Sequence, residues 1–210
     1  MYTREHKGDK GTNMPVRSHD LHGSAPDKSA AALLLIDVIN DFDFPDAEQL
    51  LRLALPAARK IAALKRRANQ AGIPSIYVND NFGRWRSDFK KTVEHCRESR
   101  GKEFVELLLP DKDDYFVLKP KNSGFYSTTL DLVLIHLGAR NLILTGIQGN
   151  NCVLFTANDA YVRDYKLFVP SDCTASTTEQ ENEHALAQME NVLKADVTIG
   201  EELDLKALTS

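Results

Sequence analysis

Three side chains in this sequence have the types needed to break a carbonyl–nitrogen bond, and each follows an apolar run. Cys152 stands in TGIQGNNCVLFTANDA, after NLILTG and at the head of a helical pattern. Asp37 closes the run in LLLIDVINDF, and Lys119 closes the one in YFVLKPKNSGF. A thiol reacts as its thiolate, and a helix N-terminus or a nearby ammonium lowers its pKa. A carboxylate within reach can take the thiol proton and later return it to a leaving amine. Gly146 and Gly149 let the chain bend before Cys152 and aim N–H groups at one point, as an oxyanion hole requires. The logic is that of a nucleophile elbow, although the motif differs.

Each of the three also has a plainer reading. A cysteine at a strand–helix junction can simply pack, a terminal Asp can cap a turn, and a Lys after a strand is usually solvated. Cys96, in TVEHCRES, and Cys173, in VPSDCTAS, have weaker contexts and read as structural.

The elements that would position these groups are short strands alternating with helices. Strands are expected at AALLLID (31–37), IPSIYVN (73–79), DYFVLK (114–119), NLILTGI (141–147), KLFVP (166–170) and ADVTIG (195–200). Helices are expected over 47–71 with a break near Pro56, and over 102–108, 128–138, 152–163 and 179–194. Residues 80–101 read as irregular and polar, with aromatics at Phe82, Trp85 and Phe89.

This alternation predicts an α/β fold: three αβα layers, Rossmann-like, with a six-stranded, mostly parallel sheet and helices on both faces. Runs such as LLLI and LILT suit strands buried on both faces. In such a sheet, sites gather at the carboxyl ends of the strands. A strand order of 3-2-1-4-5-6 brings Asp37 beside Cys152. Lys119 would start two strands away from strand one, roughly 10 Å at ordinary strand spacing, so only its long side chain or an inward loop could close the gap.

Composition narrows the function. The chain has 210 residues, a size for one domain, and a net charge of -4, which leaves no basic footprint for nucleic acid. The run Lys65-Arg66-Arg67 reads as a solvated helix face. The longest apolar run, AALLLI, is too short to span a membrane. MYTREHKGDKGTN lacks the apolar core of a signal peptide, and three cysteines do not make a disulfide framework. A reduced, cytoplasmic setting is expected. Residues 1–28 carry few residues able to join a core and read as a flexible extension, leaving 29–210 as the folded domain. There is no Walker or GxGxxG motif, and none of the six histidines has metal-ligand spacing, so neither cofactor nor metal is expected.

Four stretches, LLLIDVINDF, VLKPKNSGFYSTTLDLVL, LILTGIQGNNCVLFTANDA and LFVPSDCTAS, together resemble the isochorismatase-like cysteine hydrolase superfamily over about residues 31–200. The resemblance implies an Asp–Lys–Cys triad at Asp37, Lys119 and Cys152. The family lysine stands four residues before a Ser and six before a Phe, which Ser123 and Phe125 satisfy from Lys119 and not from Lys121. It implies a non-proline cis peptide between Ile147 and Gln148, with the Gln148 and Cys152 N–H groups forming the oxyanion hole. It also implies a homo-oligomer and a small-molecule substrate. Ile39 stands where many members have Gln. VNDNFGRW offers Asp80 and Asn81 but not the histidines of the nicotinamidase metal site.

The expected activity is hydrolysis of a small amide or ureido C–N bond through a Cys thioester. The alternatives are a vinyl-ether hydrolase of the isochorismatase type and a non-catalytic fold member used for interaction. Phe42, Phe44, Trp85 and Phe125 are candidates for the pocket wall, and Asn81, Gln148 and Asn151 for polar substrate contacts.

Overall fold

The computed structural model describes residues 28–83 and 88–209. The extension expected over 1–28 lies, apart from Lys28, outside the described residues, as does Trp85.

The chain runs β1 (Ala31–Ile36), α1 (Ala47–Gln70), β2 (Ser75–Asp80), α2 (Phe89–Arg97), α3 (Lys102–Leu107), β3 (Tyr115–Lys119), α4 (Leu130–Leu137), β4 (Asn141–Ile147), α5 (Leu154–Tyr161), β5 (Lys166–Phe168), β6 (Thr174–Ala175), α6 (Glu179–Leu193) and α7 (Leu205–Leu208). A π-helical turn, Gly149–Val153, joins β4 to α5, and a 3₁₀ turn, Ser171–Cys173, precedes β6.

Every strand pair is parallel, and the order is β3-β2-β1-β4-β5, with β6 on β4. Because alternate strand residues face opposite ways, β1 feeds two cores. Ala31, Leu33 and Leu35 pack towards α1, α2 and α3, while Ala32, Leu34 and Ile36 pack towards α4, α5 and α6. This is the expected three-layer arrangement.

Three local expectations are corrected. The sixth strand is not ADVTIG but Thr174–Ala175. β5 stops at Phe168, so the edge of β4 at Gly146 and Ile147 stays open, and β6 pairs there. ADVTIG lies beside β5 but makes only an isolated bridge at Asp196. Helix α1 continues through Pro56; the proline is exposed, so water can take the carbonyl it leaves unpaired. The supposedly irregular stretch contains α2, capped by the Asp88 side chain on the Lys91 N–H and burying Cys96.

The basic run on α1 is also not a solvated face. Lys65 is buried and pairs with Asp114 at 2.6 Å and Asp111 at 2.7 Å. Arg67 donates to the carbonyls of Gly200 and Leu203, tying the C-terminal segment to α1. Among the described residues no helix is long and apolar enough to cross a membrane.

Candidate active site

Asp37 is the first residue past β1 and has a positive φ of 51°, a conformation that Asp tolerates better than most residues. Its N–H donates to Val78 O, and its Oδ1 accepts from the Asp80 N–H at 2.7 Å. The carboxylate is therefore held by the adjacent end of β2. Asn79, fully buried, secures the loop that follows: its Oδ1 accepts from the Ile39 N–H at 3.0 Å and its Nδ2 donates to Ile39 O at 2.8 Å.

Lys119 ends β3 and is completely buried. Its ammonium has three protons and three close acceptors: Asp37 Oδ2 at 2.8 Å, Lys121 O at 3.2 Å and Cys152 Sγ at 3.4 Å. Asp80 Oδ2 stands further off at 3.8 Å. The long side chain thus spans the width of β2, and the structure brings Asp37, Lys119 and Cys152 together.

Cys152 sits in the π-helical turn after β4 and is partly exposed. The turn needs its glycines for different reasons. Gly146 has φ 116°, and a Cβ there would come within 2.0 Å of Ile36 O, the neighbouring strand in register. A Cβ on Gly149 would come within 2.1 Å of Asn182 Oδ1 on α6. Ser176, just after β6, accepts from the Asn150 N–H and donates to that same Asn182 Oδ1. The Ile147–Gln148 peptide bond is cis.

Burial and the neighbouring charges together shift all three groups of the site upward. Burial lifts the Asp37 carboxyl above its ordinary range, against Lys119, a hydrogen bond to Cys152 and the Asp80 N–H. Burial disfavours the charge on Lys119, but Asp37, Cys152 and Asp80 outweigh it and hold the ammonium above its usual value. Burial, then the charge on Asp37, push the Cys152 thiol up to about 12, with Lys119 pulling the other way. The expectation of a lowered thiol pKa is therefore corrected: burial and Asp37 outweigh Lys119 and favour the thiol over the thiolate. Cys96 is also pushed up to about 12 by burial, then by Asp41, and Cys173 is raised by burial and Asp172. Both of those thiols are fully buried.

Asp37 and Cys152 line a cleft of about 410 Å³ together with Asp41, Phe44, Phe82, Ile147, Gln148 and Asn151 among others. Asp41 Oδ2 also meets His95 Nε2 on α2 at 3.3 Å.

Several expected wall residues are elsewhere. Phe42, also at positive φ, turns into the core and packs edge-on against Phe104. Phe125 is buried in the opposite core layer, with the Arg163 guanidinium over its ring. Asn81 closes a turn by accepting from the Gly83 N–H and is not among the cleft residues. Phe44, Gln148 and Asn151 do line the cleft.

Sequence reasoning missed Asn79, Asp41 and Phe82 as parts of this site and weighed Asp80 only as a metal ligand. The polar break in the buried strand IYVND was a usable signal for Asn79. Among the described residues no three His, Cys, Asp or Glu side chains gather as a metal ligand set.

The spacing from Lys119 to Ser123 has a physical meaning. Asn122 Nδ2 donates to Asn151 Oδ1, Ser123 Oγ donates to Asp159 Oδ2, and the Gly124 N–H donates to Thr156 Oγ1 at 3.0 Å. Three consecutive residues of the loop after β3 are thus fastened to the Cys152 turn and α5.

Known proteins share this architecture. The chain is 44% identical to an uncharacterized isochorismatase family protein, YaaI, of Bacillus subtilis over 84% of its own length and 97% of that protein's. It is 30% identical, over 77% of this chain and 88% of the relative, to a probable inactive nicotinamidase of Arabidopsis thaliana. The crystal structure of N-carbamoylsarcosine amidase from Thermoplasma acidophilum superposes with a TM-score of 0.61 at 27% identity, covering 83% of this chain and 98% of that one. Residues 31–201 match the isochorismatase domain, and with the sheet order and the β4–α5 turn described above, the chain belongs to the isochorismatase family.

Proposed function

We propose that the protein is a cysteine amidohydrolase that cleaves a small amide or ureido C–N bond. The observation that carries this reading is the contact of one buried ammonium, Lys119 Nζ, with both Asp37 Oδ2 and Cys152 Sγ, two residues that line a cleft. In the proposed cycle Cys152 Sγ attacks the carbonyl carbon while Asp37 takes the thiol proton. The carbonyl π electrons move to oxygen, where the backbone N–H groups of Gln148 and Cys152 stabilise the negative charge. As the tetrahedral adduct collapses, the C–N bond breaks and Asp37 delivers its proton to the departing nitrogen, leaving a thioester. Water then attacks the thioester, Asp37 takes one of its protons, and the acid leaves as sulfur regains a proton. Lys119 keeps its proton throughout and offsets the negative charge as it passes between Asp37 and sulfur.

A raised Asp37 pKa suits this part, since a carboxylate that holds a proton more readily than usual can both accept one and return it. The name of the Thermoplasma relative, an amidase acting on an N-carbamoyl compound, supports the bond type. The proposed chemistry is complete with these side chains and water, and needs neither metal nor cofactor. The vinyl-ether alternative has no use for a thiol beside a carboxylate and an ammonium.

A non-catalytic role is the second reading, favoured by the relative described as probably inactive. A screen of small amides, ureido acids and carbamoyl compounds for ammonia release, with Cys152→Ala as control, decides between them. Turnover that vanishes in the variant is expected. No release from any compound, or equal release by the variant, would overturn the proposal.

A further inference from the structure

We propose that Thr156 is a positioning residue that sets the contact between Lys119 and Cys152; the inference rests on the nucleophile and ammonium roles assigned above. Thr156 is fully buried in the first turn of α5. Its hydroxyl has one proton to give and lone pairs to accept with, and both are used. It donates to Cys152 O at 2.7 Å and accepts from the Gly124 N–H at 3.0 Å.

A threonine bonding back to the carbonyl four residues earlier is common and by itself means little. The second bond makes the difference, because it ties the Cys152 turn to another part of the chain. Gly124 belongs to the loop that leaves β3 immediately after Lys119, and Lys119 Nζ itself donates to Lys121 O in that loop. The contacts therefore close a ring: from the Lys119 ammonium through the loop to Gly124 N, across Thr156 Oγ1 to the Cys152 carbonyl, and from Cys152 Sγ back to the ammonium. Ser123 to Asp159 and Asn122 to Asn151 fasten the same loop on either side. The loop also lies close, since a Cβ on Gly124 would come within 2.7 Å of Val78 Cγ1 and 3.4 Å of Thr156 Cγ2.

Thr156→Val keeps the shape of the side chain and removes both bonds; Thr156→Ser keeps both. Lys119 lowers the pKa of Cys152 and of Asp37, so a looser Lys119 moves both titrations upward. Misplacing a catalytic group by an ångström can cost about 10²-fold in rate. The test follows iodoacetamide modification of Cys152 against pH in wild type, both Thr156 variants and Ser123→Ala, with kcat and KM on any amide that is turned over.

Thr156→Val is expected to slow modification at least threefold at a given pH, to shift its pH profile upward, and to lower kcat about ten- to a hundredfold with KM within twofold. Ser123→Ala should shift the profile in the same direction by less, and Thr156→Ser should match wild type. A Thr156→Val profile that overlays wild type, or a serine variant that behaves like valine, would overturn the inference. If the valine variant does not fold, an unshifted profile in Ser123→Ala overturns it instead. The modification experiment needs no substrate. Absence of amide turnover with the expected shifts would therefore remove the proposed reaction and leave the positioning role standing.

Discussion

Asp37 and Lys119 stand at the ends of strands that are not neighbours, yet their charged atoms are 2.8 Å apart. Strand β2 lies between β1 and β3, and it contributes the Asp80 N–H to the same carboxylate. The pair is almost completely removed from water. Its arrangement has consequences for stability that can be measured without knowing the substrate.

Replacing Lys119 by Ala leaves the Asp37 carboxylate buried and unpaired. Breaking a buried pair by removing one partner costs about 3–5 kcal/mol, so Lys119→Ala is expected to be much less stable at neutral pH. The loss should depend on pH in a defined direction. Burial already holds Asp37 above the ordinary carboxylate value of 3.8, and without Lys119 it rises further. Between the unfolded and the folded pKa the native state binds more protons than the unfolded state, so stability falls as pH rises through that window. Urea unfolding of the variant should therefore show partial recovery on acidification through the raised Asp37 pKa, until general acid unfolding takes over. A deficit that stays constant through that range would mean Asp37 is not the group left uncompensated.

The same groups set the pH profile of turnover. The active form requires Asp37 ionised and Lys119 charged, with the thiol proton available for transfer. The acid limb of kcat/KM should lie above the ordinary carboxylate range, because Asp37 is raised. The alkaline limb should lie well above the usual thiol value, because burial and Asp37 push the Cys152 thiol up to about 12 and Lys119 is also raised. A profile with an ordinary carboxylate limb and a fall near pH 8.5 would contradict this protonation scheme. Asp37→Asn removes the proton carrier while keeping the shape, and should lower kcat by about 10²–10⁴-fold.

Much of this site was legible because parallel α/β sheets present the ends of their strands. Asp37 and Cys152 follow apolar runs, and strand order makes them neighbours. Lys119 needed more: the spacing to Ser123 and Phe125 singled it out, and the loop that fastens Ser123 to Asp159 explains that spacing. The aromatic wall was not legible, because the side a ring faces is set by loop dihedrals. Phe42 at φ 54° turns inward onto Phe104, while Phe44, two residues on, reaches the cleft. Strand β6 has two residues, too few for a periodic signal, and exists because β5 ends early beside β4. Lys65 looked like surface because its partners, Asp111 and Asp114, are more than forty residues away in sequence.

Metal removal should not change the rate. The end of β2 supplies Asp80, the residues that directly follow it include no histidine, and Asp80 Oδ1 is already occupied by the Phe82 N–H at 2.6 Å. Prolonged dialysis against a chelator, followed by assay, is expected to leave activity intact. Loss on chelation that zinc or manganese restores would require a ligand set different from the one described.

The last prediction concerns the charge of molecules that reach Cys152. Asp41, Asp43 and Asp80 line the cleft together with Asp37, and the lining among the described residues contains no Lys or Arg. Lys119 lies beneath it with its charge matched by Asp37. A cleft lined by one sign of charge concentrates or repels small ions before any specific contact forms. Iodoacetamide and iodoacetate alkylate thiols by the same displacement and differ in charge. Relative to their ratio on a free thiol, iodoacetamide should outpace iodoacetate at Cys152 by about tenfold at low salt, and added salt should narrow the gap. Asp43→Asn should narrow it as well, since Asp43 lines the cleft without contacting the reacting groups. Iodoacetate reacting as fast as iodoacetamide, with no dependence on salt, would mean that these carboxylates do not govern entry and that a cationic group outside the described lining balances them.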